Sequence, residues 1–208
     1  MLSGPVALWA VGATHPQPPW QDTATFTSAY HRVQAMPYAM GLMLVAGFIG
    51  LVATLTAQLP ARLQARKYVA IALSAAFAAM IFTNYAIQTA VIPAIVHSRS
   101  ASDAPILAAL TMANPHSIGW ALEMWGYGLL GAATWLCAPA FSGGGVNRLA
   151  RALYRSNGAL SLAGVVATVV APGWVASTAG MVGYGAWNAL VVVLTATTIR
   201  AASAGRTA

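Results

Sequence analysis

Five stretches of the chain stay apolar for about a membrane's width: Tyr38–Gln58, Tyr68–Val96, Ser117–Phe141, Leu153–Pro172 and Thr178–Ile199. A helix rises ~1.5 Å per residue and a bilayer core is ~30 Å thick, so each stretch can form a transmembrane helix. None alternates apolar and polar residues with the period of two that a membrane barrel strand requires. The pattern predicts an all-α integral membrane protein, a bundle of five transmembrane helices forming a single membrane domain over residues 1–208. Pro37 stands at the start of the first span, where a proline is tolerated. The second span is longer than a crossing needs and carries Pro93 near its end, which predicts a tilted helix whose last turn is kinked or unwound.

Residues 1–37 form an outer N-terminal segment in this reading. Met1–Ala13 is apolar but lacks a basic flank and is too short to cross, so it is expected on the outer surface or as a re-entrant piece. Pro16, Pro18 and Pro19 interrupt regular structure after it, and Trp20 suits the membrane interface. Ala104–Ala113 is apolar but short, and is expected as a helix lying on the membrane. Ser142–Gly145 reads as a flexible connector, with no G-K-S/T after it to suggest a phosphate loop.

Composition agrees with the pattern. Charged residues make up 6% of the chain and apolar ones 59%, against roughly 25% charge in soluble domains. That excludes a soluble enzyme, a disordered tail and a disulfide-stapled secreted module. The net charge of +7 raises the question of nucleic acid, and the placement of the basic residues answers it. Arg62, Arg66 and Lys67, then Arg148, Arg151 and Arg155, then Arg200 and Arg206 all fall at one end of the five spans, leaving Arg32 and Arg99 at the other. By the positive-inside rule this is a cell-membrane, multi-pass topology with the N-terminus outside and the C-terminus cytoplasmic; no nucleic-acid partner is implied. Cys137 is the lone cysteine, which rules out an internal disulfide and a thiolate metal cluster.

Polar residues within the spans are few, and the membrane penalises them. Glu123 is the only acidic residue in any span. A carboxyl at the membrane centre costs about 2.5–3.5 kcal/mol on the insertion scale, so it must be paired or neutral. Trp120 and Tyr127 lie three before and four after it on one helical face, whereas Trp125 is off that face. Asn84 and Gln88, with Tyr85 beside them, form a second polar stripe, and Tyr184, Trp187 and Asn188 a third. Counted from the outer ends of their helices, Glu123, Gln88, Tyr184 and Asn188 sit roughly 9–15 Å deep, at one level. Asn157 and Ser161, near the cytoplasmic end of the fourth span, read as glue between helices.

Two readings of Glu123 stay open. It can hydrogen-bond to Asn84, Gln88 or Asn188 purely as helix glue, a task that amides also perform. A carboxyl adds proton transfer, and Trp and Tyr faces around it can stabilise a carbocation. His97 and His116 lie near outer helix ends; His116 is a candidate proton relay to Glu123, although loop histidines near Asp103 also read as solvated surface. No HxxxH or HExxH spacing supports a metal site, and no nucleophile-elbow motif supports Ser-His-Asp catalysis.

The segments Asn84–Gln88 (N-Y-A-I-Q) and Asn114–Glu123 (N-P-H-S-I-G-W-A-L-E), followed by Gly126 and Tyr127, resemble a group of small prokaryotic integral membrane proteins that carry the same pattern. That resemblance implies the span layout and no activity. In reaction logic the chain is similar to the small bacterial membrane-bound terpene cyclases and to the sterol-isomerase type of five-helix protein, both of which protonate an alkene or epoxide with a buried acid. The resemblance implies Glu123 as the acid, and Trp187 with Asn188 as the matching pair of the isomerases. Both families usually offer two or more acids, and this chain has one within its spans.

The expectation is therefore a membrane enzyme that protonates a lipophilic, isoprenoid substrate to start cyclisation or isomerisation. Glu123 is the candidate catalytic acid. Asn84, Tyr85, Gln88, Trp120, Tyr127, Tyr184, Trp187 and Asn188 are candidate substrate-binding residues. No cofactor or metal is required for that chemistry, and the partners are the lipophilic substrate and membrane lipid. The competing class is a non-enzymatic transporter subunit, lipid-binding or structural component with Glu123 as a helix-pairing group. The sequence leaves the oligomeric state open.

Overall fold

The computed structural model describes residues 3–98 and 100–204, and over them the chain is helical. Arg99 and Arg206, part of the charge pattern above, and Met1 and Leu2 of the outer segment, lie outside the described residues. The helices are α1 (Ser3–Thr14), α2 (Thr23–Ala29), α3 (Met36–Ala57), α4 (Gln64–Ala86), α5 (Ile92–Ser98), α6 (Ala104–Leu110), α7 (Ile118–Cys137), α8 (Val146–Val170) and α9 (Thr178–Ala204). A single π-helical turn, Ile87–Val91, joins α4 to α5, so the two run as one long rod.

Three helical stretches are long and apolar enough to cross a membrane: Arg32–Ala57, Ala61–Ser98 and Thr178–Ser203, with mean hydropathies of 2.1, 1.7 and 1.4. The other two expected spans, α7 and α8, are not among them. Their composition explains the difference. α7 carries Glu123 with several Trp, Tyr and Gly residues, and α8 opens with Arg148, Arg151 and Arg155. α7 packs between α4 and α8, and its inward face is built from Gly119, Glu123, Gly126, Gly128, Gly131 and Thr134. A helix surrounded by protein need not be apolar all round.

Small residues set these close approaches. The space a side chain at Gly126 would fill is taken by Ile81 of α4, and that at Gly131 by Ser161 of α8. On the far side of α4, the ring of Tyr85 occupies the place a side chain at Gly41 of α3 would need. The core between these helices holds Val45, Phe48, Phe77, Ile81, Leu130, Tyr154, Val191 and Leu194. Asn157 ties three helices, donating to Thr134 Oγ1 at 2.9 Å and accepting from Trp187 Nε1 at 3.1 Å.

One end of the bundle is closed by the short helices, and here the structure refines three expectations. α1 packs along α3, with Ser3 Oγ donating to Met40 O at 2.8 Å, while Trp9 stays 77% exposed. The segment expected as a surface helix over Ala104–Ala113 is helical only to Leu110, and then turns inward: Leu107 packs on Phe26 and Ile92, and Thr111 and Met112 are buried. Beside Pro93 the expected irregularity takes the form of a π turn, after which the helix resumes as α5. The π turn precedes the proline, with the Ile92 N–H reaching back to Ile87 O, and this widened turn takes up the irregularity imposed by a residue with no N–H.

Candidate functional site at Glu123

The site is assembled from the two segments singled out in the sequence, one on α4 and its π turn, the other on α7 and the loop before it. Asn114 and Ser117 shape that loop. The Asn114 side chain accepts from His116 N–H at 3.0 Å and donates to Ala108 O at 2.8 Å, a local turn that reverses the chain after α6. Ser117 is the N-cap of α7 and accepts from Trp120 N–H at 3.2 Å. The indole N–H of Trp120 donates to Met112 O at 2.7 Å, folding the loop back on its helix.

Glu123 lies one and a half turns into α7 and is 5% exposed. Two donors meet its two oxygens. Asn84 Nδ2 donates to Oε2 at 3.0 Å, and the Tyr85 hydroxyl donates to Oε1 at 2.9 Å. The Tyr85 hydroxyl also lies 3.2 Å from that of Tyr127, which comes from α7. Asn84 makes further contacts from the same nitrogen to Gly119 O at 3.1 Å and Met112 Sδ at 3.2 Å. Its carbonyl oxygen accepts from Gln88 Nε2 at 3.3 Å. Gln88 then clasps the loop on both sides, donating to Leu110 O at 2.8 Å and accepting from Met112 N–H at 3.1 Å.

Hydroxyl hydrogens turn to suit their partners, so the tyrosine pair can run in either direction. With Glu123 ionised, Tyr127 donates to Tyr85 and Tyr85 to the carboxylate. With Glu123 protonated, the carboxyl donates to Tyr85, whose own hydrogen turns to Tyr127. Either state therefore fits the same heavy-atom positions. Aromatic rings stand around the pair: Tyr38 at 5.6 Å from the Tyr85 ring, and Phe77 and Trp187 at 5.4 and 4.9 Å from the Tyr127 ring, the last two edge-on.

No family model, curated protein or solved structure matches this chain. The site is therefore read from its own geometry.

Of the sequence candidates, Asn84, Tyr85, Gln88, Glu123 and Tyr127 form one connected network. Trp120 is tied to Met112 in the adjoining loop. Trp187 touches Tyr127 from α9, but its N–H goes to Asn157. Tyr184 and Asn188 make no hydrogen bond to this network. Tyr184 is 41% exposed, and the Asn188 side chain donates to Tyr184 O on its own helix at 2.8 Å. The face α9 turns inward runs through Trp187, Val191, Leu194 and Thr197, one position away from Asn188. Trp125, expected off the Glu123 face, is 47% exposed.

His116 stays exposed in the loop, its ring against Gly173, before α7 begins. Nothing in its bonding links it to Glu123. Among the described residues no three of His, Cys, Asp or Glu come together as a metal site would require. Two contributors escaped the sequence reading. Tyr38 sits at the start of α3 and its aromatic character was a usable signal. Met112 reaches Asn84 only because the loop turns inward, and nothing in its own sequence context marks that.

The clasp at Gln88 makes a measurable forecast. Gln88→Ala removes the acceptor of the buried Met112 N–H, and an unsatisfied buried donor costs about 1–3 kcal/mol. Hydrogen exchange at the Met112 amide is expected to accelerate by about tenfold or more, while amides in the middle of α8 keep their rates.

Proposed function

We propose that the chain crosses the membrane five times, with its N-terminus outside, and acts there as an enzyme that protonates an alkene or epoxide of a lipophilic isoprenoid. The crossing count adds α7 and α8 to the three apolar spans. What supports it is their length, 20 and 25 residues, and their place inside the bundle, where neighbouring helices cover their polar positions. The orientation rests on the basic residues at the α3–α4 and α7–α8 turns and at Arg200.

The observation that carries the enzymatic reading is the coupling of the buried carboxyl to a reversible hydroxyl pair. Loss of a proton from Glu123 leaves an anion that Asn84 and Tyr85 already stabilise. Tyr38, Phe77, Tyr85, Tyr127 and Trp187 supply ring faces and edges nearby, and ring faces attract a developing carbocation. The likeness to small prokaryotic membrane proteins, and in reaction logic to membrane-bound terpene cyclases, belongs to this same proposal. In the closed arrangement both carboxyl oxygens are occupied, so a substrate reaches them only when the outer loop and Tyr38 move aside.

That occupancy also favours the second reading. A carboxyl with a donor on each oxygen is a complete helix pair in itself, and α4 and α7 are the helices it joins. Glu123→Gln separates the two. Gln accepts from Asn84 and donates to Tyr85, whose hydroxyl turns to Tyr127, so it reproduces the protonated geometry without a transferable proton. Membranes carrying the wild-type chain, given farnesol, geranylgeraniol and their terminal epoxides in D2O, are expected to yield a deuterium-bearing product. The Gln variant should fold and be slower by about 10²–10⁴-fold. Equal rates would remove the catalytic role, and no turnover by the wild type would leave the helix-pairing reading.

The topology is checked separately. A membrane-impermeant maleimide should label Gly144→Cys only in inverted vesicles and Ser177→Cys only from outside, with the buried Cys137 silent in both. Labelling of both positions from one side would refute the five-span arrangement.

A further inference from the structure

A second hollow lies apart from the Glu123 network, between α2 on one side and the α5–α6 corner on the other. It is an open cleft of about 1290 Å³, larger than the roughly 300–1,000 Å³ typical of drug-sized sites. Its chemistry is divided. One part of the lining is apolar and runs along the π turn and α5 through Ala90, Pro93 and Ala94. The other part carries Arg32 and His97 with the hydroxyls of Thr27, Ser28 and Ser100.

The basic side of the cleft is built and unopposed. Arg32 opens a 3-10 turn locked at its start by a reciprocal cap: Val33 N–H donates to His31 Nδ1, and Gln34 Oε1 accepts from His31 N–H. Among the described residues, no carboxylate lines the cleft. The two acids nearest it in sequence are otherwise engaged. Asp22 accepts from Thr25 N–H at 2.7 Å, and Asp103 from Ser98 Oγ at 3.0 Å and Ser102 Oγ at 3.4 Å.

Tyr30 supplies an independent sign. It lines this cleft and also the small pocket below, which reaches Gln88, Tyr38 and Thr111. Its hydroxyl is buried and has no hydrogen-bond partner, an unfavourable condition for a donor unless an acceptor fills it. Burial holds this phenol above its ordinary pKa, so it remains a donor. A donor without an acceptor and an arginine without a carboxylate ask for the same kind of group, while the hydroxyls of Ser28 and Ser100 already bond to Thr25 O and Ser102 Oγ.

We propose that this cleft binds the anionic head of a membrane-borne amphiphile, with Arg32 and Tyr30 on the head and the chain lying along the π turn and α5. A phosphate-headed isoprenoid and an anionic phospholipid share that chemistry. Neither depends on the reaction assigned to Glu123.

The test is binding to the purified full chain in phosphatidylcholine nanodiscs, read by native mass spectrometry and by thermal shift. Farnesyl monophosphate and phosphatidylglycerol are the two amphiphilic probes; farnesol and inorganic phosphate are the controls. At least one amphiphilic probe is expected to bind, with Arg32→Gln weakening it about tenfold through loss of a charge-assisted bond and Tyr30→Phe weakening it less. Arg62→Gln, at the opposite end of the bundle, should leave it unchanged. Binding of farnesyl monophosphate alone marks an isoprenoid site, and binding of phosphatidylglycerol marks a lipid site; each supports the proposal. It is overturned if neither binds, if the controls bind as well as the amphiphiles, or if a correctly folded Arg32→Gln chain binds like the wild type.

Discussion

One carboxyl with a donor on each oxygen organises the centre of this molecule. An unpaired Glu123 buried between α4 and α7 would be costly, because a carboxyl taken out of water needs its hydrogen bonds replaced. Asn84 and Tyr85 remove that penalty by meeting the two oxygens from the neighbouring helix. Their reach requires the two helices to be close, and the absence of side chains at Gly119 and Gly126 makes that possible. The same Asn84 then engages Gln88, and Gln88 holds the loop before α7. The registry of α4, α7 and the outer loop is thus fixed by one connected set of bonds.

The network has a second property that a purely apolar contact would lack. Because the Tyr85–Tyr127 hydroxyl pair can reverse, the carboxyl can gain or lose a proton without any heavy atom having to move. Glue alone needs no such freedom; an acid catalyst does. That acid is buried, and the small hollow that reaches its network lies around Tyr30, Tyr38 and Gln88.

Much of this was legible in the sequence because the membrane simplifies the code. Long apolar runs gave the helical class and its approximate bounds, and scarcity made the polar residues conspicuous: Asn84, Gln88 and Glu123 stand out in runs of Ala, Leu and Ile. Spacing of three and four placed Tyr127 correctly beside Glu123. It said less about α9: Tyr184 stands in register with Trp187, Val191 and Leu194, yet α9 buries its later turns and leaves its first ones exposed, which spacing alone does not encode. Pro93 announced an irregularity near the end of the second span but not its form, since a π turn is a backbone response that composition does not specify. The inward turn after Leu110 depends on Gln88 meeting the Met112 N–H, a contact between segments 24 residues apart, and short-range patterns do not encode it.

The most direct measurement is a double-mutant cycle on the central pair. Asn84→Leu and Glu123→Leu are made singly and together, and unfolding free energies are measured in one detergent or bicelle system. If the carboxyl and the amide stabilise each other as the geometry requires, each single change should be destabilising by about 1–3 kcal/mol. The double variant should recover part of that loss, with a coupling energy above about 0.5 kcal/mol. Additivity within about 0.3–0.5 kcal/mol would mean that the two side chains act independently, and would contradict the central role given to Glu123.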